Sequence, residues 1–194
     1  MDWTGYYDAQ AGRGVRSVVM EALLRRDEPS PGVAIDIGCG EGTETRHLLA
    51  NGWRVLAIDA DPSSESRVRA GLTPEQRARL TFRPARFEDI GALPAADLIY
   101  STFALPFCRP ASFPALWSGI RAALKPGGWF AGELFGPHDS WAGRSDMNFH
   151  DRAEVQALLA GLAVHTLDED DSEGQSAFGS RHWHVFNIVA SAPD

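Results

Sequence analysis

Three glycines stand at alternate positions, Gly38, Gly40 and Gly42, in the stretch IDIGCGEGTETRHLL at residues 35–49. Glycine adopts positive φ easily and lets another group approach the main chain, although it costs entropy on folding. Asp36 precedes this glycine loop, and Asp59 ends the next apolar run, where a carboxylate can accept both hydroxyl protons of a ribose. The pattern predicts a binding site for a ribose-containing ligand.

The glycine spacing also separates two classes of nucleotide-binding protein. A dinucleotide-binding loop has the pattern G-x-G-x-x-G, which requires glycine at position 43. That position is Thr43, and the spacing here is G-x-G-x-G. The sequence therefore disfavours a nicotinamide-dependent dehydrogenase, which stays as one competing hypothesis.

Apolar runs alternate with segments of helical periodicity along the chain. Such alternation predicts a mainly parallel sheet covered by helices on both faces, with the ligand at the carboxyl ends of the strands. Capping boxes predict helix starts at Thr73 and at Asp151. A first helix is expected near 11–26, and a closing hairpin near 163–168 and 182–191. The five earlier strands are predicted at VAIDIG, RVLAIDAD, LTFRPARF, DLIYSTF and WFAGELFG.

Four motifs occur in order: DIGCGEG, AIDADP, DLIYSTFALPF and LKPGG. Together they resemble the class I S-adenosylmethionine-dependent methyltransferases over about residues 33–135. The resemblance implies an α/β, doubly wound, Rossmann-like fold with a seven-stranded sheet. That sheet is mainly parallel, and its antiparallel last strand lies between the fifth and the sixth. The implied cofactor is S-adenosylmethionine, with S-adenosylhomocysteine as its product, and no metal is expected.

The resemblance also implies roles for individual residues. Asp36 would reach the cofactor ammonium directly or through water, and Asp59 would bind the ribose. The loop backbone would lie against the methionine portion and the ribose. Ser101 would lie beside the methionine portion, and Arg13 is placed at the cofactor carboxylate by its position alone. The complete predicted cofactor set is Arg13, Asp36, Gly38, Cys39, Gly40, Asp59, Ala60, Phe87, Glu88 and Ser101.

One position departs from the family pattern. After the third strand the family usually has an aspartate that accepts a hydrogen bond from the adenine amino group, but the sequence ARFEDI puts Arg86 there. Arginine cannot accept a hydrogen bond. Either the Phe87 backbone and the Glu88 carboxylate recognise adenine, or the alignment is displaced by a residue or two.

Methyl transfer needs mainly close positioning and exclusion of water, and a base only where the acceptor must lose a proton. The predicted base candidates are His138, after the fifth strand, and His182, at the start of the last strand. A structural role for either histidine is the alternative. We expect the first helix and the segments 136–143 and 172–181 to close the acceptor pocket. Trp141, Phe103 and Trp183 are possible pocket walls, although core packing explains them equally well.

The charge of the chain indicates which classes of macromolecular partner are disfavoured. The 194 residues read as a single domain, 1–194, with a formal net charge of −8 and a pI near 5.2. Such acidity disfavours nucleic acid and membrane surfaces as partners.

The first residues have no apolar signal core, so a cytoplasmic location is expected. The two cysteines suggest neither a disulfide framework nor a metal site, and the acidic run 168–173 is expected to be a solvated loop.

The acceptor class follows from a missing signature. Enzymes that methylate base amino groups generally have an Asn/Asp-Pro-Pro-aromatic signature after the fourth strand, whereas this chain has YSTFALPF. A small-molecule acceptor is therefore predicted. The alternative is an S-adenosylmethionine-binding module, or a non-methylating enzyme, on the same fold. The sequence indicates no oligomeric state.

Overall fold

The computed structural model describes residues 3–26, 30–176 and 179–194. Seven strands form one sheet in the order β3-β2-β1-β4-β5-β7-β6. The first five strands run parallel to one another, and β7 is antiparallel to both of its neighbours. The fold prediction is confirmed, including the insertion of the last strand between β5 and β6. The strands are Val33–Ile37 (β1), Arg54–Asp59 (β2), Leu80–Pro84 (β3), Ala96–Ser101 (β4), Leu124–Phe135 (β5), Ala163–Ser176 (β6) and Gly179–Ser191 (β7).

Seven α-helices accompany these strands in the described ranges: Thr4–Gln10 (α1), Ser17–Arg25 (α2), Thr43–Ala50 (α3), Ser64–Arg69 (α4), Pro74–Ala78 (α5), Phe113–Ala123 (α6) and Arg152–Leu158 (α7). Both predicted capping boxes form, at Thr73 with Gln76 and at Asp151 with Glu154. The helix predicted near 11–26 is present as α2 but begins only at Ser17, and α1 precedes it, because the chain turns through Gly12 at φ 81° between the two helices. Among these helices none is long and apolar enough to cross a membrane.

The apolar core lies on both faces of the sheet because successive strand residues point in opposite directions. Ile35 and Ile37 pack on one face with Ile120 of α6, whereas Ala34 packs on the other face with Val19 of α2. All five side chains are inaccessible to solvent. Full burial of a large aliphatic side chain stabilises a fold by about 1.5–3 kcal/mol. This double-sided core holds the carboxyl ends of β1, β2 and β4 in fixed positions.

The last two strands are longer than the sequence indicates. The acidic run 168–173, expected as a loop, lies within β6, and the expected loop 172–181 is mostly strand. Asp171 pairs across the ladder with His184, and Glu173 with His182. Acid–histidine pairs of this kind support a strand that has no apolar alternation. Ala177 and Phe178, between the two strands, lie outside the described residues.

Candidate functional site

A cavity of about 490 Å³ opens at the carboxyl ends of β1, β2 and β4. Its walls are the glycine loop, the end of β2, the 3-10 turn Phe87–Asp89, the segment after β4, and α1 with the residues that follow it. The structure thus brings together eight of the ten predicted cofactor residues, namely Arg13, Gly38, Cys39, Gly40, Asp59, Ala60, Phe87 and Glu88. We call this space the cofactor cavity.

The three loop glycines have positive φ, at 79° for Gly38, 52° for Gly40 and 83° for Gly42. Side chains from other segments of the chain also lie close to these three glycines. A Cβ added to Gly40 would lie 2.9 Å from the ring of Tyr7, and one on Gly42 would lie 2.6 Å from Val68. A Cβ on Gly38 would overlap Ala104. Ligand approach alone therefore does not explain the glycines, since the protein's own packing requires them as well.

Asp59 is held at the end of β2 with part of its acceptor capacity unused. Its Oδ2 accepts the Gly40 N–H at 2.8 Å, and its Oδ1 accepts the Asp61 N–H at 2.8 Å. The Tyr7 hydroxyl adds only a long contact of 3.4 Å to Oδ1. A carboxylate offers about four lone-pair sites. Asp59 can therefore accept further hydrogen bonds from two neighbouring hydroxyl groups, as a ribose presents them.

The turn after β3, which is predicted to recognise adenine, borders the cavity. Arg86, Phe87 and Glu88 all line the cavity, whereas Asp89 does not. Glu88 lies 3.8 Å from Arg109, a separation that leaves its carboxylate available as an acceptor. This placement favours the first alternative for adenine recognition, through Phe87 and Glu88.

Asp36 and Ser101, the other two predicted cofactor residues, do not line the cofactor cavity. Asp36 is 2% exposed and accepts a 2.6 Å hydrogen bond from the Thr45 hydroxyl. Ser101 is inaccessible and donates a 2.7 Å hydrogen bond to the Ile37 carbonyl. Strand alternation turns Asp36 toward α3, on the side opposite Ile35 and Ile37. Both residues support the site through these contacts, but their side chains do not line the cavity. Thr102, the residue after Ser101, does line it.

Burial raises the pKa of Asp36 from 3.8 to about 8. Above pH 3.8 the unfolded chain loses this proton while the folded protein keeps it, so stability falls as pH rises through the interval. In Asp36→Asn this contribution is absent. We expect the unfolding free energy of the wild type to fall relative to the variant between pH 5 and 8, by up to about 1.4 kcal/mol per pH unit. Urea denaturation across that range measures it, and parallel pH profiles of the two proteins would contradict it.

Arg13 lines the cavity but is already paired. Its guanidinium donates to both carboxylate oxygens of Glu44, at 2.5 and 2.6 Å, and lies 3.1 Å from Glu41. Two acids thus neutralise it, which does not favour its predicted role at the cofactor carboxylate. Arg16, which sequence reasoning missed, also lines the cavity. No sequence motif indicates that Arg16 lies here, because its position depends on how the segment between α1 and α2 packs on α3.

The two histidines predicted as bases lie outside the cavity. His138 Nδ1 is 2.8 Å from Asp171 Oδ2, and His182 Nε2 is 2.6 Å from the other oxygen of Asp171. Strand alternation puts His182 on the face of the β6–β7 hairpin opposite Trp183. Hydrogen bonds to Asp171 and Glu173 raise the pKa of His182. Its placement therefore does not favour catalysis, and the prediction for both histidines stays a prediction.

A nearby cluster has the composition of a metal site. Ligand atoms of His138, Asp171 and His184 lie within 4.8 Å of one another. However, His184 Nδ1 accepts the backbone N–H of His138 at 3.1 Å. Its proton is therefore on Nε2, which lies 2.9 Å from Glu169. An imidazole whose Nδ1 accepts this hydrogen bond and whose Nε2 carries the proton has no lone pair left for a metal.

The segment 136–143, expected to close the pocket, packs elsewhere. The guanidinium carbon of Arg181 lies 3.7 Å from the centroid of the Trp141 ring. Arg181 also forms a buried ion pair with Asp139. The neighbouring residues Arg144, Asp146 and Met147 line the cofactor cavity instead. From the first helix, Trp3, Tyr6 and Tyr7 also contribute to its wall.

Comparison with known sequences connects this geometry to a family. A family profile described as a methyltransferase domain matches residues 34–128. An uncharacterized methyltransferase of Synechocystis sp. is 32% identical over 104 residues, covering 53% of this chain and 47% of the relative. A carboxy-S-adenosyl-L-methionine synthase of Erwinia tasmaniensis is 30% identical over 126 residues, covering 59% and 49%. A ribosomal RNA small subunit methyltransferase H of Methylocella silvestris is 41% identical over 78 residues, covering 39% and 22%. The chain thus spans about half the length, or less, of these relatives.

Solved structures share the fold over nearly the whole chain. TehB from Haemophilus influenzae superposes with a TM-score of 0.78 at 15% identity, covering 98% of this chain and 67% of that chain. The 1,6-didemethyltoxoflavin-N1-methyltransferase of Burkholderia thailandensis, solved with 1,6-didemethyltoxoflavin and S-adenosylhomocysteine, has a TM-score of 0.63 at 22% identity. The match covers 98% of this chain and 85% of that chain.

Proposed function

We propose that this chain is a class I S-adenosylmethionine-dependent methyltransferase, as its match to a methyltransferase-domain profile over residues 34–128 supports. We further propose that it transfers the methyl group of this cofactor to a small-molecule acceptor. The observation that carries the proposal is the convergence of the glycine loop, Asp59 and the Phe87–Glu88 turn on one cavity of about 490 Å³. A second cavity of about 290 Å³ adjoins it and provides space for an acceptor.

The chemistry needs little from the protein beyond placement. The acceptor displaces a neutral thioether from a sulfonium, so no oxyanion develops that must be stabilised. Holding the nucleophile close to the methyl carbon and excluding water supplies most of the catalysis. The aromatic side chains Trp3, Tyr6 and Tyr7 of the first helical segment and Phe103 after β4 are suited to excluding water above the cofactor cavity.

Charge supports a small acceptor over RNA, although one relative is named as a ribosomal RNA methyltransferase. The whole chain has a formal net charge of −8, which disfavours a phosphate backbone as a partner.

A competing function acts on the cofactor itself. Several relatives are named as carboxy-S-adenosyl-L-methionine synthases, an activity that modifies the cofactor without methylating an acceptor. The test is incubation with methyl-deuterated S-adenosylmethionine and a panel of small acceptors, followed by mass spectrometry. We expect S-adenosylhomocysteine and a deuteromethylated acceptor in equal amounts. A carboxylated cofactor, or no transfer to any acceptor, would contradict the proposal.

For the histidines we expect a small effect. Losing a general base typically lowers turnover by about 10²–10⁴-fold. Because His182 is bound to Asp171 and Glu173 away from both cavities, His182→Ala should lower turnover by less than about tenfold at unchanged cofactor affinity. The measurement is the rate of S-adenosylhomocysteine formation with any accepted substrate. A loss of turnover of about 10²–10⁴-fold would instead indicate that His182 acts as the general base.

A further inference from the structure

The second cavity, of about 290 Å³, shares four wall residues with the cofactor cavity, namely Tyr6, Gln10, Arg16 and Phe103. Strands β6 and β7 complete its wall with Asp170, Gln175, Ser176, Trp183, Val185 and Asn187. A molecule in this space therefore meets the cofactor cavity across Arg16 and Phe103. Three rings and one aliphatic side chain share the wall with six polar or charged side chains, which suits a small planar compound that carries polar groups.

Arg16 is the cation at the junction, and its guanidinium is not neutralised by an acid. Nη2 donates to Gln10 at 3.1 Å, and the guanidinium lies 4.6 Å from the centroid of Phe103. Its Nε is buried with no hydrogen-bond partner. Across residues 3–26, 30–176 and 179–194, no carboxylate lies within ion-pairing distance of this guanidinium. Arg13, by contrast, is bound by two acids.

Phe103 is fixed in an unusual conformation at the same junction. Its φ is 53°, the positive value that non-glycine residues rarely adopt. The Phe103 N–H donates to Glu133 Oε2 at 3.1 Å, and its ring makes an edge contact with Trp183 at 5.8 Å. Such strain at a cavity wall is retained where surrounding contacts enforce it. The ring therefore offers a rigid surface beside the Arg16 charge.

Three other ionisable groups lie near the junction, and one of them, Asp170, is an acid in the second cavity itself. Glu133 is buried beneath Phe103, and burial raises its pKa to about 7 while Arg16 lowers it. Asp170 borders only the second cavity, on exposed β6. Tyr6 is a phenol whose pKa burial raises. Neither predicted histidine base faces this space, so an acceptor that is already an anion suits it best.

We propose that the second cavity binds a small planar acceptor with an acidic group, and that Arg16 pairs with the anion of that group beside the cofactor methyl. This rests on the proposed function. A lone pair on the anionic atom of that group forms the new bond to the methyl carbon, the bond from this carbon to sulfur breaks, and its electron pair stays on sulfur, giving a neutral methylated product and S-adenosylhomocysteine. The acidic proton leaves to water before binding, so no protein base takes part.

The test compares Arg16→Gln with wild type, using aromatic acids and their amides as probes. Benzoate with benzamide, and phenylacetate with phenylacetamide, are titrated by ligand-observed NMR in the presence of S-adenosylhomocysteine. Wild type should bind each acid about tenfold or more tightly than its amide, as a charge-assisted hydrogen bond gives. Arg16→Gln should lose this preference. Arg25→Gln, whose arginine pairs with Glu21 outside both cavities, is the control that should keep it.

Titration of S-adenosylhomocysteine alone separates the possible outcomes. Unchanged affinity in Arg16→Gln shows that the variant is folded and that Arg16 does not bind the cofactor carboxylate. A tenfold or greater loss of that affinity, or equal binding of acid and amide by wild type, would overturn the proposal. Binding of neither probe would also count against it, whereas failure of the proposed function itself would appear as absent cofactor binding.

Discussion

Replacing Gly40 by valine is expected to destabilise the protein by about 2–4 kcal/mol and to abolish measurable cofactor binding. A β-branched residue is strained at the φ of 52° found here. Its Cβ would also lie 2.9 Å from the Tyr7 ring, displacing α1 from the cavity wall. Denaturant unfolding measures the first effect, and calorimetric titration with S-adenosylhomocysteine measures the second.

Gly143→Val is the matched control for this substitution. Gly143 has nothing within 4 Å of an added Cβ, and its φ lies outside the positive range. It should therefore stay within about 1 kcal/mol of wild type and bind the cofactor product normally. If Gly40→Val folds stably and keeps its affinity, then neither the loop conformation nor Tyr7 contact is needed at the site.

The second large effect is expected at Asp59. Asp59→Asn should lower affinity for S-adenosylhomocysteine by about 10–100-fold, since charge-assisted hydrogen bonds to both ribose hydroxyls contribute about 1.5–3 kcal/mol. Asparagine keeps the side-chain volume and one acceptor oxygen, so the turn held by Gly40 and Asp61 is only partly disturbed.

A deoxyribose analogue of S-adenosylhomocysteine makes this test specific to the ribose. Wild type should discriminate against the analogue, and Asp59→Asn should discriminate much less, as in a double-mutant cycle. Glu65→Gln, an exposed acid on α4, serves as the control. If wild type and Asp59→Asn discriminate equally between S-adenosylhomocysteine and its deoxyribose analogue, Asp59 does not bind the ribose.

Local sequence predicted the parts of the site that lie close together in the chain. Strand order, the glycine loop and Asp59 follow from short motifs in which a strand end determines where the next residues point. The same motifs do not indicate that Asp36 and Ser101 lie outside the cavity wall. A motif places a residue on a strand, but the face to which its side chain turns depends on the packing of α3 and β1.

Other features depend on segments distant in sequence. Tyr7 fills the space at Gly40, and Arg16 reaches the junction only because its segment is fixed to Glu44. The acidic part of β6 has no apolar alternation, so it was taken for a loop, although its pairing with β7 makes it a strand. That pairing also put His182 on the outer face, which sequence position alone could not indicate.

A crystal structure of the protein with S-adenosylhomocysteine tests the central claim most directly. We expect one bound molecule in the cofactor cavity, with its ribose hydroxyls on Asp59 and its adenine beside Phe87 and Glu88. Its sulfur should face the second cavity across Phe103. Binding at any other surface, or an adenine at the opposite end of the cavity, would contradict the account.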